Sequence, residues 1–496
     1  MNKLFGSGKP PVPTVDTDRV VPLHFFESGP LVQGNNMAVS IVFDDVLEPE
    51  KLKQALEGLV KREGWQRLGG RLRKNPTTGA IEWHIPTVFS ADRPIINYAH
   101  VDHGVPAAQH PAASRIPQPS TRPAVVADPD DLADLAFEPG HRPGGISDYL
   151  TSDMPVLGLR VNSFTDKTIA VLQWQHVAFD ALGMQYVVEG WSNMLWGKEH
   201  EIPTPCGLDS DPFEALAKGT RKPTEPHLLM DKKVGIGGML KWGLGYGFDM
   251  LARAKENRMV CIPQSYWKTQ MEKAIEELRA EATEKGEDPS KVFLTEGDIL
   301  TAWTMKSVVG PQDMDPNRTV AGSIAMSLRK AFEGDLIPEA SKSPYVGNAF
   351  GWGNVLVTAG DVNTKPLSWL ARQVRRAINE QGTRAQHEAY YAMVREGPGL
   401  PIVIFGDGGM AQIGFSNWSK AGLFNLDFAP ARKVQKPGVP CRPSYVQENH
   451  GPIKPVDGFF VFGKDEKGNY WTSAYKVKGQ WDKLDEYLVK EHEKGA

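Results

Sequence analysis

The stretch Gln175-His176-Val177-Ala178-Phe179-Asp180-Ala181-Leu182-Gly183 lies where an apolar run ends and a helical pattern begins. The run Ile169 to Trp174 has the length of a buried strand, and Asp166-Lys167 ahead of it reads as a hairpin tip. Before that tip, Leu157, Leu159 and Val161 alternate with other residues, as a half-buried strand requires. Beyond Asp180, Met184, Val187, Val188, Trp191 and Leu195 form one apolar stripe, which predicts a helix over 181–195. A histidine at a strand's end, followed by a tight turn, can direct its imidazole into a cavity. Imidazole titrates near neutrality, so it can remove a proton at cellular pH. Asp180 would orient the turn or the ring, and Gly183 would let the helix start pack closely. Taken by itself, the spacing favours a core histidine capped by a nearby acid.

Outward from this stretch the chain divides into three parts: residues 1–205, a crossover linker 206–258, and residues 259–496. The first part opens with a strand over Met37 to Phe43 and a helix on Leu52, Leu56, Leu59 and Val60, closed by Gly69-Gly70. Residues 90–143, rich in Pro, Ala, His and Asp, read as an irregular surface excursion. Prolines 203, 205, 212, 223 and 226 mark the linker, which ends in a glycine-rich helix near 239–254. In the last part, helices are expected at 267–282, after Thr295 with Asp298 completing a capping box, and from Pro366 as the first helical residue. Strands are expected at 319–327, 355–359, 402–405 and 458–462.

Composition removes several classes of function. The 496 residues are 41% hydrophobic and 23% charged, with a formal charge of -4, as in ordinary soluble globular proteins and unlike a bulk nucleic-acid binder. Three scattered cysteines form neither a disulfide framework nor a zinc motif and suit a reducing compartment. The first 18 residues lack an apolar core of the secretory kind. The stretch 234–251 carries Lys241, Asp249 and six glycines, so no membrane span is expected. A cytoplasmic enzyme without membrane or nucleic-acid partners is the resulting expectation. His100, His103 and His110 read as a solvated loop rather than a metal site. Gly243 to Gly247 read as a loose helix or loop, and Gly406 to Gly409 as a turn.

The HxxxD of His176 and Asp180, placed after a strand in a chain of this length, resembles the motif of the BAHD acyltransferases, within the chloramphenicol acetyltransferase-like superfamily. Four further segments match in order. Leu68-Gly69-Gly70-Arg71-Leu72 is similar to the family's early helix and its "GR" turn. Leu294 to Trp303 resembles its capped second-domain helix. Ser327-Leu328-Arg329, with Gly347-Asn348, resembles its arginine segment and "GN" turn. Ser416-Asn417-Trp418, leading to Leu426-Asp427-Phe428, looks like its tryptophan-to-DFGWG stretch. Overall length and the proline-rich excursion look most like fungal members. Two departures stand out: DFGWG is here Asp427-Phe428-Ala429-Pro430-Ala431, and Gln175 precedes the histidine where many members carry a second one. Phe350-Gly351-Trp352-Gly353 spells part of the lost motif out of place, as a coincidence or a cavity wall.

The resemblance implies an α/β fold of two chloramphenicol acetyltransferase-like domains, each a mixed β-sheet with helices, joined by a long crossover. It implies acyl-CoA as co-substrate, no tightly bound cofactor, no metal, a small-molecule acceptor of secondary metabolism, and a monomer. His176 would be the general base. Asp180 would pair with Arg329 as a structural ion pair, with Gly183 and Asp427 structural beside it. Ser416, Asn417, the Trp418 indole and Asn348 are candidates for oxyanion or substrate contact, and His24 for the border of the acceptor channel. Three alternatives remain open: a carrier-protein donor, a cyclase or isomerase using the same cavity, and a non-catalytic binding protein.

Overall fold

The structure is a computed structural model that describes residues 12–495 apart from 139, 141, 143, 398–401 and 452. Two mixed sheets dominate. The first has five strands, in the order Pro443–His450, Asn36–Phe43, Thr168–Gln175, Leu157–Ser163 and Asn97–Asp102. All its neighbours are antiparallel except the last pair. The second has seven, in the order Phe350–Thr358, Thr319–Ser327, Ala411–Asn417, Gly458–Lys464, Tyr470–Val477, Lys255–Ile262 and Ala124–Ala127. Its two parallel pairs flank Ala411–Asn417. A small antiparallel sheet of Arg19–Pro22, Ile81–Ile85 and Arg71–Lys74 closes the N-terminal side.

Each large sheet carries helices because each presents an apolar face that must be covered. Asn36–Phe43 is buried at every position, as is Leu157–Ser163, so water is excluded from both faces. Helices Pro49–Lys61 and Ala181–Leu195 cover this sheet. They approach closely because position 190 is glycine: a Cβ there would lie 2.8 Å from Leu59 Cδ1. The Trp191 indole seals the contact by donating to Leu52 O at 2.9 Å. The second sheet packs against Gln264–Glu284, Glu296–Val309 and Leu367–Gln381. Thr295 and Asp298 form the expected capping box, and Arg375 clamps the buried Asp298 at 2.5 Å.

Two strands are exchanged between the halves. Pro443–His450, late in the chain, pairs with Asn36–Phe43, and the early Ala124–Ala127 pairs with Lys255–Ile262. A division at 205 and 259 therefore leaves each half holding a strand of the other's sheet. Some sequence expectations need correction. The stretch 90–143 holds two strands, Asn97–Asp102 and Ala124–Ala127, both at sheet edges and only partly buried, which is why neither reads as an apolar run. Ile402 to Phe405 forms only an isolated bridge between Phe405 and Lys233. Pro366 is the N-cap of Leu367–Gln381 rather than its first residue. Among the described residues, no helix is long and apolar enough to cross a membrane.

Candidate active site

Thr168–Gln175 ends at Gln175, and its side chain secures the turn on either side of His176. Gln175 is fully buried. Its amide donates to Gln33 O at 2.8 Å, and its carbonyl accepts from Val177 N at 2.6 Å. The backbone N–H of His176 donates to Asn35 O at 3.0 Å. From the second half, the buried Asn348 donates its amide to His176 O at 2.9 Å and Val177 O at 3.1 Å. The turn is thus held from both halves through backbone groups, and His176 is half-buried between the buried Gln175 and Val177.

Asp180 is committed to a separate set of partners. It caps helix Ala181–Leu195, accepting from Leu182 N at 3.1 Å and Gly183 N at 2.8 Å. It also accepts from Ala349 N at 2.8 Å, and from the Arg329 guanidinium at 3.1 and 2.9 Å in a two-pronged pair. Burial alone would raise its pKa. The Arg329 charge and these hydrogen bonds outweigh burial and hold the carboxyl below its ordinary value. Arg329 in turn donates to Tyr345 O at 2.9 Å and Gly347 O at 2.5 Å, so every face of its fork is used. Gly183 is dictated by packing: a Cβ there would sit 2.0 Å from Val346 O. Asp180, Gly183, Arg329 and Asn348 therefore meet at one junction between the halves.

Other candidate residues lie elsewhere. His24 is 3% exposed, within 3.2 Å of the Arg67 guanidinium and 3.5 Å of the Tyr345 hydroxyl, in a network that includes Glu27. Burial, with the Arg67 charge, lowers its pKa to about 2 and keeps the ring neutral. The ring is thus enclosed and shielded from solvent. The Trp418 indole is directed at a neighbour. Its only N–H is given to Ser416 Oγ at 2.9 Å, and its ring packs against Phe460 and Phe462. Ser416 and Asn417 end strand Ala411–Asn417 and are half-buried.

Asp427 sits at the opposite end of helix Ala181–Leu195, about 20 Å from the His176 turn by helix rise. Its carbonyl accepts from Ser192 and Trp196, and its carboxylate accepts from Ala429 N and Cys441 N. Phe428 stacks on Phe43 and meets Trp191 edge-on. The two surviving residues of the altered motif thus tie the second half onto the first half's core. Phe350 to Gly353 begins the edge strand of the second sheet, where glycines 351 and 353 make room for Leu328, His387 and Met326. His103 stacks on Phe164 and touches His110. Among the described residues, no group of three or more His, Cys, Asp or Glu side chains is arranged to hold a metal.

A family model described as "Transferase family" matches residues 248–441. The chain is 35% identical to a Penicillium decumbens protein named transcriptional regulator calD, over 98% of this chain and 99% of that one. It is 32% identical to acetyltransferase adrJ of Penicillium rubens, over the same shares of each chain. Among solved structures, TRI101 of F. graminearum, complexed with coenzyme A and T-2 mycotoxin, superposes with a TM-score of 0.65. That match covers 95% of this chain and 98% of that one at 17% identity. The fold is therefore that of the two-domain, chloramphenicol acetyltransferase-like enzymes. The chain belongs to the BAHD acyltransferase family, matched as the Transferase family, and is a fungal-type acyltransferase.

Proposed function

We propose that this chain transfers an acyl group from a coenzyme A thioester directly to a hydroxyl or amine of a small secondary-metabolite acceptor, with His176 as general base. The observation that carries this reading is the opposite treatment of the two motif residues. Asp180 is buried and spent on Arg329, whereas His176 keeps exposed surface on a turn braced by backbone contacts from both halves. In the proposed step the acceptor oxygen or nitrogen forms a bond to the thioester carbonyl carbon as its proton passes to His176. The carbon–sulfur bond then breaks, and the thiolate leaves with that proton. No acyl-enzyme is needed. The transient oxyanion requires a donor, worth roughly 3 kcal/mol. With the indole of Trp418 committed, the hydroxyl of Ser416 is the preferred candidate, with Asn417 beside it.

The relatives support this reading. One is named an acetyltransferase, and TRI101 carries coenzyme A and a small-molecule toxin in its crystal structure. The name of the calD relative points to a different class, but a formal charge of -4 gives no support for nucleic-acid binding here. The protein would act as a cytoplasmic monomer. The altered Ala429-Pro430-Ala431 tail makes the donor the point to test. Calorimetric titration with acetyl-CoA is expected to give one saturable site. Absence of heat with acetyl-CoA, together with consumption of an acyl carrier protein thioester, would reassign the donor.

A further inference from the structure

Helix Ile236–Leu251 reverses the usual arrangement of a surface helix. Ile236, Leu240, Leu244, Phe248 and Leu251 follow one another at helical spacing and are 75%, 66%, 80%, 59% and 85% exposed. They form a single outward row about 24 Å long. The inward face is already anchored. Met239 and Trp242 pack against Val234, Ala321, Ile404 and Met410, and the Tyr246 hydroxyl donates to Val456 O at 3.0 Å. Gly238 lies against the backbone of Gly408, where a Cβ would come within 2.7 Å of Gly238 O. The outward row is thus not a failed core contact. It is held out toward solvent by a helix that is fixed from behind.

Charge selects among possible occupants. Residues 231–255 carry five cations, Lys232, Lys233, Lys241, Arg253 and Lys255, against the two carboxylates Asp231 and Asp249, within a chain of net charge -4. The cations lie near both ends of the apolar row, where Lys232 pairs with Asp231 and Arg253 with Asp249, while the Lys241 ammonium lies by Asp407 and Gly409, so the excess charge is modest. A second copy seated face to face would bring these cations together, whereas an anionic headgroup layer neutralises them. Sixteen residues are too few to span a bilayer, which needs roughly 20, but enough to lie in its interface. We infer that helix Ile236–Leu251 docks the protein peripherally onto an anionic lipid surface, with its apolar row inserted among the acyl chains. This revises the expectation that the protein has no membrane partner.

The test is flotation of the full-length protein with vesicles of about three parts phosphatidylcholine to one part phosphatidylserine. Vesicles of phosphatidylcholine alone serve as the comparison. The wild type is expected to float with the anionic vesicles and far less with the neutral ones. The double variant Leu240→Glu/Leu244→Glu is expected to bind at least about tenfold more weakly with an unchanged melting temperature, because both side chains already face water. A wild type that stays unbound, or a variant that floats equally well, overturns the inference. So does a wild-type dimer that the variant converts to monomer, since the occupant would then be a second copy. None of these readouts depends on acyl transfer, so the inference fails or stands separately from the proposed reaction.

Discussion

The variant His176→Ala is expected to lose about 10²–10⁴-fold in kcat/KM while melting at the temperature of the wild type. The two halves of this expectation have different origins. The loss follows from removing the group that takes the acceptor proton during attack. The unchanged melting follows from how the turn is held. Asn348 and Asn35 grip the backbone of residue 176, and Gln175 grips the backbone at Val177, so truncating the ring removes none of those bonds. Steady-state kinetics with acetyl-CoA, beside a thermal melt followed by circular dichroism, reads both. Full activity in the variant would remove His176 from the chemistry. A large drop in melting temperature would make the ring a core element instead.

The variant Asp180→Asn should behave in the opposite way, losing folded protein first and activity as a consequence. Asp180 and Arg329 are both buried, and the carboxylate answers three backbone N–H groups and both prongs of the guanidinium. An amide cannot accept all of these and turns an NH2 toward a cation. Removing one partner of such a buried pair costs about 3–5 kcal/mol, because the other charge is left without compensation. Denaturant unfolding measures this directly. The wild type carries the same signature in acid. Since the folded carboxyl sits below its ordinary value of 3.8, the stability it contributes is complete above that pH and is lost as pH falls through the folded value. An Asp180→Asn protein as stable as the wild type would mean that the pair contributes little to the junction.

Much of the N-terminal architecture was legible because its signals are local. The hairpin around Asp166-Lys167 and the stripe from Met184 to Leu195 describe elements buried enough to leave a clear periodicity. The capping box at Thr295 and Asp298 is likewise written in four consecutive residues. The edge strands of the first sheet left no such signal. Asn97–Asp102 is exposed along much of its length. Pro443–His450 carries buried polar residues that rely in part on distant partners, as when the Gln447 amide donates to Pro129 O at 2.9 Å. Within the site, the Asp180–Arg329 pairing followed from family resemblance rather than from spacing, since 149 residues separate the two. The bracing by Gln175 is not legible from its place before the histidine. Its role shows only once Val32 and Gln33 are seen to supply its acceptors. Spacing likewise does not reveal that the His24 ring is enclosed or that the Trp418 N–H is given to Ser416.

The most direct measurement follows an isotopically labelled acetyl group from acetyl-CoA by mass spectrometry of the small-molecule product and of the intact protein. Transfer at His176 predicts the label in the acceptor, equimolar free coenzyme A, and an unlabelled protein. A product of the same mass as its precursor, with acetyl-CoA left intact, would contradict acyl transfer and assign the site to cyclisation or isomerisation.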